Sequence, residues 1–534
     1  MTQRSTGHTL RNAAGATAGL LTGAVAGLLA AAVALGVAQL VAGITGSAGV
    51  PVIAVGSAAI DLTPVPVKDF AIQHFGSDDK LVLLSGIVVV LALFAAVTGI
   101  MAMHRRVLGL AGLVVFGAIG AAAVLTRPVT RPVDVVPTLV GVAVGALTLM
   151  LLVRAVRGPG QVAARTTPTE TTPADTTPAQ PGRRRFLLTA AGTAAIAAAG
   201  AGLGEVLLRR FNVNSARALV ALPRPKIRGP LPPAAAQLPV PGISRFTTPN
   251  ASFYRVDTAL MLPQVAPDQW RLRVHGMVAR ELDITFEDLL KRPLTEADIT
   301  IACVSNQVGG PYVGNTRWLG ASLAALLREA GVKRGADQIL STSADGWTCG
   351  TPVETVMDGR NALIAVGMNG QPLPIAHGFP ARMVVPGLYG YVSATKWLVD
   401  IELTTFAAQK SYWVQRGYTA QAPIKTESRI DVPKPLQQVK AGRTAVAGVA
   451  WAQHRGIDRV QVRADSGAWH DAELAEVPGI DTWRQWVWQW DATPGLHQLE
   501  VKATDATGAT QPSRRVPIFP NGATGWDSVT VTVT

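Results

Sequence analysis

Cys303 stands where an apolar alternating stretch gives way to glycine-rich turns. A thiol so placed has two uses, as a soft metal ligand once ionised or as a small packed hydrophobe. In residues 299–318, ITIACVSNQVGGPYVGNTRW, positions 299, 301 and 303 alternate with 300, 302 and 304, the period of a strand. Asn306, Gly309, Gly310, Pro311, Gly314 and Asn315 are turn formers and stop it. Beyond them Leu323, Leu326, Leu327 and Ala330 recur at helical spacing, and Gly331 supplies the end. The thiol is therefore carried at the mouth of a strand, loop and helix unit, where site residues commonly sit. The second cysteine, Cys349, leaves open a disulfide between the two, which would remove the thiolate. No CxxC, CxxCH or HExxH spacing occurs, so zinc-ribbon, c-type haem and zincin chemistry have no support.

The elements that must hold this unit follow from length and composition. A chain of 534 residues exceeds one core and predicts two or three domains. Hydrophobic residues make up 48% and charged ones 16%, which places part of the chain in lipid. The formal charge of +13 is not a nucleic-acid footprint: residues 1–228 hold 20 Lys and Arg against 8 Asp and Glu, whereas the remainder is nearly balanced. Four apolar runs, 13–44, 81–103, 107–125 and 135–153, each suffice to cross a hydrocarbon core of about 30 Å. Arg4 and Arg11, then His104, Arg105 and Arg106, then Arg154, Arg157 and Arg165 fall on one side, cytoplasmic by the positive-inside rule, with Arg127 and Arg131 opposite. His8, His74 and His104 lie at ends or in loops, so no intramembrane haem is expected and the helices read as an anchor.

Residues 1–157 thus form a four-helix transmembrane region, and 158–182, with TTPTETTPADTTPAQP, a Thr/Pro linker unable to bury a core. Residues 183–208, GRRRF-led and alanine-rich, read as a fifth span resembling a twin-arginine export signal, with an ordinary positive-inside span as the alternative. Either way the rest of the chain is expected outside the cytoplasm, on a multi-pass protein of the cell membrane. Residues 209–241 read as a Pro/Arg/Ala spacer. In 242–425 strands around Trp270, Leu272 and Val274, at 282–290 leading into a short helix, and at 362–366 mix with helices without regular alternation, which predicts α+β; 346–360 reads as loop and helix. In 426–534 short alternating strands near 446–451, 460–464, 482–490, 496–503 and 529–533 predict a β-sandwich of the immunoglobulin type, with tryptophans 483, 486, 488 and 490 filling a core and an interface.

Three blocks then carry a resemblance: TIACVSN around Cys303, NTRWLGASLAALLREAGV from Asn315, and MNGQPLPIAHGFPARMVVPGLYG with SATKWL between Met368 and Leu398. In this order, and followed by a sandwich, they resemble the sulfite oxidase family of molybdenum-cofactor oxidoreductases over about 290 residues. The resemblance implies a multi-domain fold of α-helical membrane bundle, α+β molybdenum-cofactor domain and immunoglobulin-like dimerisation domain. It implies a molybdenum-molybdopterin cofactor with Cys303 as metal ligand, which suits a soft thiolate donor. It puts cofactor contacts at Tyr254, Arg255, Asp358, His377, Arg382 and Lys396, substrate positioning at Arg255, and Tyr418 beside the metal. Gly309, Gly310 and residues 387–390 would let backbone approach the pterin.

Two positions depart from the family pattern. Val256 and Asp257 follow Arg255 where an Asn-His pair is common, and Gln307 and Val308 stand where sulfite-oxidising members place an arginine. The implied activity is oxygen-atom transfer involving a small oxyanion or, in reverse, a sulfoxide. No haem or flavin motif is present, so a separate electron carrier, a cytochrome or a membrane component, is expected, together with a homodimer. The competing reading is a metal-free, membrane-tethered binding or adhesion protein on the same scaffold.

Overall fold

Long apolar runs fold as helices because nothing in them breaks the backbone ladder. The computed structural model describes residues 4–46, 50–64, 67, 70, 79–126, 132–157, 181–210 and 212–534. His74, Arg127, Arg131 and residues 158–180 of the expected linker lie outside them. The chain divides into two compact units, Met1–Asn212 with Thr258–Met261, and Val213–Asp257 with Leu262–Thr534.

The first unit contains the helices Arg4–Thr45, Asp79–His104, Arg106–Leu125, Val136–Arg157 and Pro181–Arg209. Five helical segments here are long and apolar enough to cross a membrane. A further apolar helix, Pro51–Leu62, is too short to do so; the sequence reading does not contain it. Close approach is set by small residues: a Cβ at Gly27 would strike the Ala95 carbonyl, and one at Gly36 the Ala197 carbonyl. Their outward faces carry exposed Val88, Val89, Val90, Leu93 and Val114, so these helices are apolar outside as well as inside.

The second unit is built from sheets. Its strands are β1 Arg271–Gly276, β2 Leu282–Thr285, β3 Leu294–Ala302, β4 Val313–Ser322, β5 Gln338–Ser343, β6 Thr348–Pro352, β7 Leu363–Met368, β8 Gln371–Pro372, β9 Arg382–Val384 and β10 Leu398–Thr404. One sheet runs β2-β1-β10-β5-β6 and another β3-β4-β7-β8, with β9 also on β7. The helix Leu323–Ala330 forms where the spacing predicts, capped by the Ser322 hydroxyl and closed by Gly331 at φ 68°. Thr285 and Asp288 make a reciprocal capping box for Phe286–Lys291. The segment 346–360 departs from expectation: it contains β6, paired antiparallel with β5, before the short helix Val353–Met357.

Residues 427–533 form two further sheets. β11 Glu427–Val432, β13 Gly442–Trp451, β16 Glu473–Leu474 and β17 Arg484–Ala492 run in the order β11-β13-β17-β16. The other sheet is β12 Gln438–Val439, β19 Asp527–Val533, β18 Gly495–Asp505, β14 Ile457–Ala464 and β15 His470–Asp471, in that order. Val446, Val460, Val462, Trp486, Leu499, Val501 and Val531 of both sheets share one core.

Two segments close on β3, the edge strand that leads to Cys303. The stretch expected as a spacer instead packs along it: the Lys226 and Ile227 N–H groups donate to the Leu294 carbonyl, and the Glu296 N–H to that of Ile227. From the carboxy-terminal sheets' loops, the Asp481 carbonyl accepts from Thr300 N–H at 2.9 Å, the Thr300 hydroxyl accepts from Trp483 N–H at 2.7 Å, and the Thr300 carbonyl accepts from Gln453 Nε2 at 3.1 Å. A Pro-rich segment packs here because edge-strand groups need partners and its own backbone supplies them.

Candidate active site

The loop after β3 is held by its own backbone. Cys303 N–H donates to the Tyr312 carbonyl at 2.9 Å, Asn306 N–H to the Cys303 carbonyl at 3.0 Å, and Tyr312 N–H to Asn306 Oδ1 at 2.7 Å. These bonds fix the cysteine one residue beyond the strand, with its side chain half-buried. Ser305 N–H points at Sγ from 3.4 Å. Burial pushes the thiol up from its ordinary range, while the Ser305 contacts and the Lys396 charge pull it down. The two cysteines do not pair: both are free, and Cys349 is buried in β6, so the disulfide alternative is set aside.

Lys396, whose charge reaches the thiol, belongs to a group of three cations. Arg382, at the start of β9, is buried; its Nη1 donates to the His377 carbonyl at 3.1 Å and its Nη2 to that of Ala394 at 3.4 Å. Its guanidinium lies over the Trp318 ring, 5.0 Å from the centroid, and its Nε–H has no partner. Burial lowers Arg382 to about 10, so it stays charged at neutral pH. Lys396 Nζ donates to Asp257 Oδ2 at 2.7 Å, and burial lowers it to about 8 against the pull of that carboxylate. Arg255 grips the same carboxylate through Nε at 2.8 Å and Nη2 at 3.2 Å. Asp257 is 5% exposed in its side chain and Arg255 38%, so the carboxylate is enclosed while the guanidinium still meets solvent. Gly378, at φ 107°, lets the chain pass: a Cβ there would sit 3.0 Å from Lys396 Cα and Arg382 Cβ.

His377 and Tyr254 complete the group. His377 Nε2 faces the Asn250 carbonyl at 3.2 Å, and burial lowers it to about 4, helped by the charges of Arg382, Lys396 and Arg255. Tyr254 stacks on Phe253 with centroids 5.2 Å apart, and burial, then the Cys303 charge, hold its phenol far above the usual range. Between pH 6.5 and 4 an unfolded histidine binds the proton that folded His377 refuses, so stability falls as pH falls through that window. The unfolding free energy of cofactor-free protein, from urea titration, is expected to fall by roughly 2 to 3 kcal/mol more between pH 7 and pH 4 than that of His377→Gln.

Charge contacts link the six residues in a chain: Cys303 with Lys396 and Tyr254, Arg382 with Tyr254, Lys396 and His377, and Arg255 with Lys396 and His377. Asp358 and Tyr418 have partners of their own. Asp358 accepts from Arg360 Nη2 at 2.6 Å, and Arg360 Nη1 donates to the Pro386 carbonyl. Tyr418 sits among Tyr391, Trp413 and Phe519, with centroids 5.2 to 5.5 Å away. Asp257, read from sequence only as a departure from pattern, is the carboxylate that two of the cations share; its position two residues after Arg255 was the available signal. Glu427 was also missed. It is buried on β11, and burial raises it to about 8, with Lys425 and Asn306 opposing.

A molybdenum-pterin group suits these residues. The thiol is a soft donor, three cations outnumber one carboxylate, and the Arg382 Nε–H is an unmet buried donor of the kind a phosphate oxygen satisfies. Among the described residues no three His, Cys, Asp or Glu side chains form a metal-binding cluster, so further donors would come from the cofactor itself.

Comparison with known proteins agrees. Residues 259–413 match the family model for the oxidoreductase molybdopterin binding domain. Sulfite oxidase of Gallus gallus is 30% identical over 328 residues, 52% of this chain and 70% of that protein. Mitochondrial sulfite oxidase of Rattus norvegicus is 30% identical over 323 residues, and this chain spans 59% of its length. The crystal structure of the sulfane dehydrogenase SoxCD from Paracoccus pantotrophus is 25% identical, with a TM-score of 0.48, covering 54% of this chain and 81% of that one. With that family model matched and the Gallus gallus enzyme 30% identical over 70% of its length, the chain belongs to the sulfite oxidase family of molybdopterin-dependent oxidoreductases.

Proposed function

We propose that this protein transfers an oxygen atom to or from a small sulfur substrate, a sulfite-class oxyanion or a sulfoxide, at a molybdenum-pterin cofactor ligated by Cys303 on the outer face of the cell membrane. When bound, that cofactor supplies the transferable oxygen and a two-electron redox couple. The carrying observation is the half-buried Cys303 thiol under the charge of Lys396, with Lys396, Arg382 and Arg255 acting on one another and on His377. Arg382, His377 and Lys396 hold the pterin phosphate and ring, with Tyr254 beside them as an O–H donor that stays protonated. Arg255 faces the substrate: its guanidinium is the most exposed of the three and is aimed by two bonds to Asp257. Gln307 and Val308 offer the substrate no charge, which favours a less charged substrate than a dianion. Tyr418 passes the proton.

Five apolar helices support membrane anchoring, and the arginine pattern supports an external catalytic half exported through the twin-arginine-like helix. The two-sheet carboxy-terminal part serves as an immunoglobulin-like dimerisation domain, and electrons pass singly to a separate cytochrome or membrane carrier in the oxidising direction, or from it in sulfoxide reduction. Protein made in a cofactor-competent host is the test. About one molybdenum per chain, with turnover of sulfite or a sulfoxide coupled to an artificial electron carrier, is expected; metal-free protein would leave only a binding role on this scaffold.

A further inference from the structure

The two faces of β11 are put to different uses. Ile430 joins the core shared by the carboxy-terminal sheets, whereas Glu427, Arg429 and Asp431 alternate on the opposite face. That opposite face meets the loop of Cys303. Arg429 Nη1 donates to the Gly310 carbonyl at 2.8 Å, Nη2 to Ser244 Oγ at 2.9 Å and Nε to Asp431 Oδ1 at 2.8 Å. Asp431 is held in turn by Ser244 N–H, which donates to Oδ2 at 3.0 Å. The Arg429 side chain is only 11% exposed and serves three acceptors in three directions, so its guanidinium is fixed.

The neighbouring glycine is braced as well. Gly309, at φ 75°, lies so close to Asp527 of β19 that a Cβ there would strike the carboxylate. Asp527 Oδ2 accepts from Ile430 N–H at 2.8 Å, which ties this brace to β11. Inside the loop the support runs on to the thiol. Gly310 N–H donates to the Gln307 carbonyl at 2.8 Å, and the Gly310 carbonyl stands two residues before Tyr312, whose own carbonyl holds Cys303 N–H. An ion pair that only stabilised β11 would be complete with Asp431. The bond to Gly310 instead spans 119 residues and lands on the loop that carries the sulfur. We propose that Arg429 is a positioning residue of the active site: by pinning the Gly310 carbonyl it fixes the turn that aims the Cys303 sulfur, so that the carboxy-terminal sheets complete the centre built by the preceding domain. The proposal rests on Cys303 being the metal ligand.

Full-length protein from a host without pterin synthesis would be treated with iodoacetamide and alkylation of Cys303 followed by mass spectrometry, with buried Cys349 as the internal reference. Arg429→Met is expected to speed alkylation of Cys303 by about 10-fold or more, the loss of one charge-assisted bond closing the loop. Arg429→Lys keeps the charge but cannot serve three acceptors, and should fall between. In cofactor-loaded protein Arg429→Met should lower kcat about 10- to 100-fold with KM within about twofold and molybdenum per chain unchanged, and should shift the electron paramagnetic resonance g values of molybdenum(V). Because Arg429→Met leaves Asp431 buried without its cation, the pair Arg429→Met and Asp431→Asn is made alongside and should show the same changes. Arg463→Met breaks an ion pair with Glu500 at 2.7 Å in the same part of the chain and should move neither readout. Alkylation rates and g values equal to the parent's in both the single and the double variant would overturn the proposal. Failure of the ligand assignment is read separately, as turnover by Cys303→Ser, and leaves the alkylation rates to decide whether Arg429 braces the loop.

Discussion

Cys303→Ser is expected to lower turnover by at least about a thousandfold while the protein stays folded, a barrier increase of roughly 4 kcal/mol. The fold barely uses the sulfur: Ser305 N–H reaches it only at 3.4 Å, and the loop is held by bonds of the Cys303 backbone and the Asn306 side chain. In the proposed reading the metal, by contrast, uses it fully. A thiolate is soft, strongly donating and available near neutral pH once a metal competes for the proton, whereas a serine hydroxyl is hard and keeps its proton. The pterin contacts assigned to Arg382, His377 and Lys396 are untouched by the exchange. Molybdenum content and the urea midpoint should therefore remain close to those of the parent while sulfite or sulfoxide turnover disappears. Activity within threefold of the parent would remove Cys303 from the metal.

Arg382→Met is expected to act on cofactor retention instead. The methionine fills much of the space over the Trp318 ring but leaves the His377 and Ala394 carbonyls without their donor. Losing a buried charged donor costs roughly 2 to 4 kcal/mol of stability in the cofactor-free protein. The unmet Nε–H disappears as well, and with it a charge-assisted bond of about 1.5 to 3 kcal/mol to a phosphate, so molybdenum per chain should fall to about a tenth or less. Arg382→Lys keeps the charge without the planar fork and should fall between the two. Metal analysis after gel filtration, beside urea titration of the metal-free forms, separates the two effects. Full molybdenum content in the methionine variant would place the phosphate elsewhere.

Local pattern made some of this legible and long-range pairing hid the rest. The strand, loop and helix around Cys303 could be read because alternation, turn formers and helical spacing are all written within thirty or so residues. The apolar helices could be read for the same reason. Asp257 could not, because its meaning comes from Lys396, 139 residues away. β6, with the sequence TCGTP, has little strand propensity and exists by pairing with β5. β11 was missed because Glu427 and Asp431 look like surface residues, yet both are buried, Asp431 by accepting from Arg429 at 2.8 Å. The Pro-rich stretch before residue 242 looked like a tether for want of side-chain periodicity, and it packs through backbone bonds that leave no sequence pattern.

The bonds that close over Thr300 bear on when the edge of β3 is covered. Ribosomes make the chain from its amino end, and Trp483 lies 183 residues beyond the Thr300 hydroxyl that its N–H meets. Until that later part emerges, the edge of β3 is open, and an open strand edge is a template for pairing with a neighbouring chain. That part of the edge thus stays unpaired until synthesis is nearly complete, and a protein truncated at residue 425 would self-associate through it.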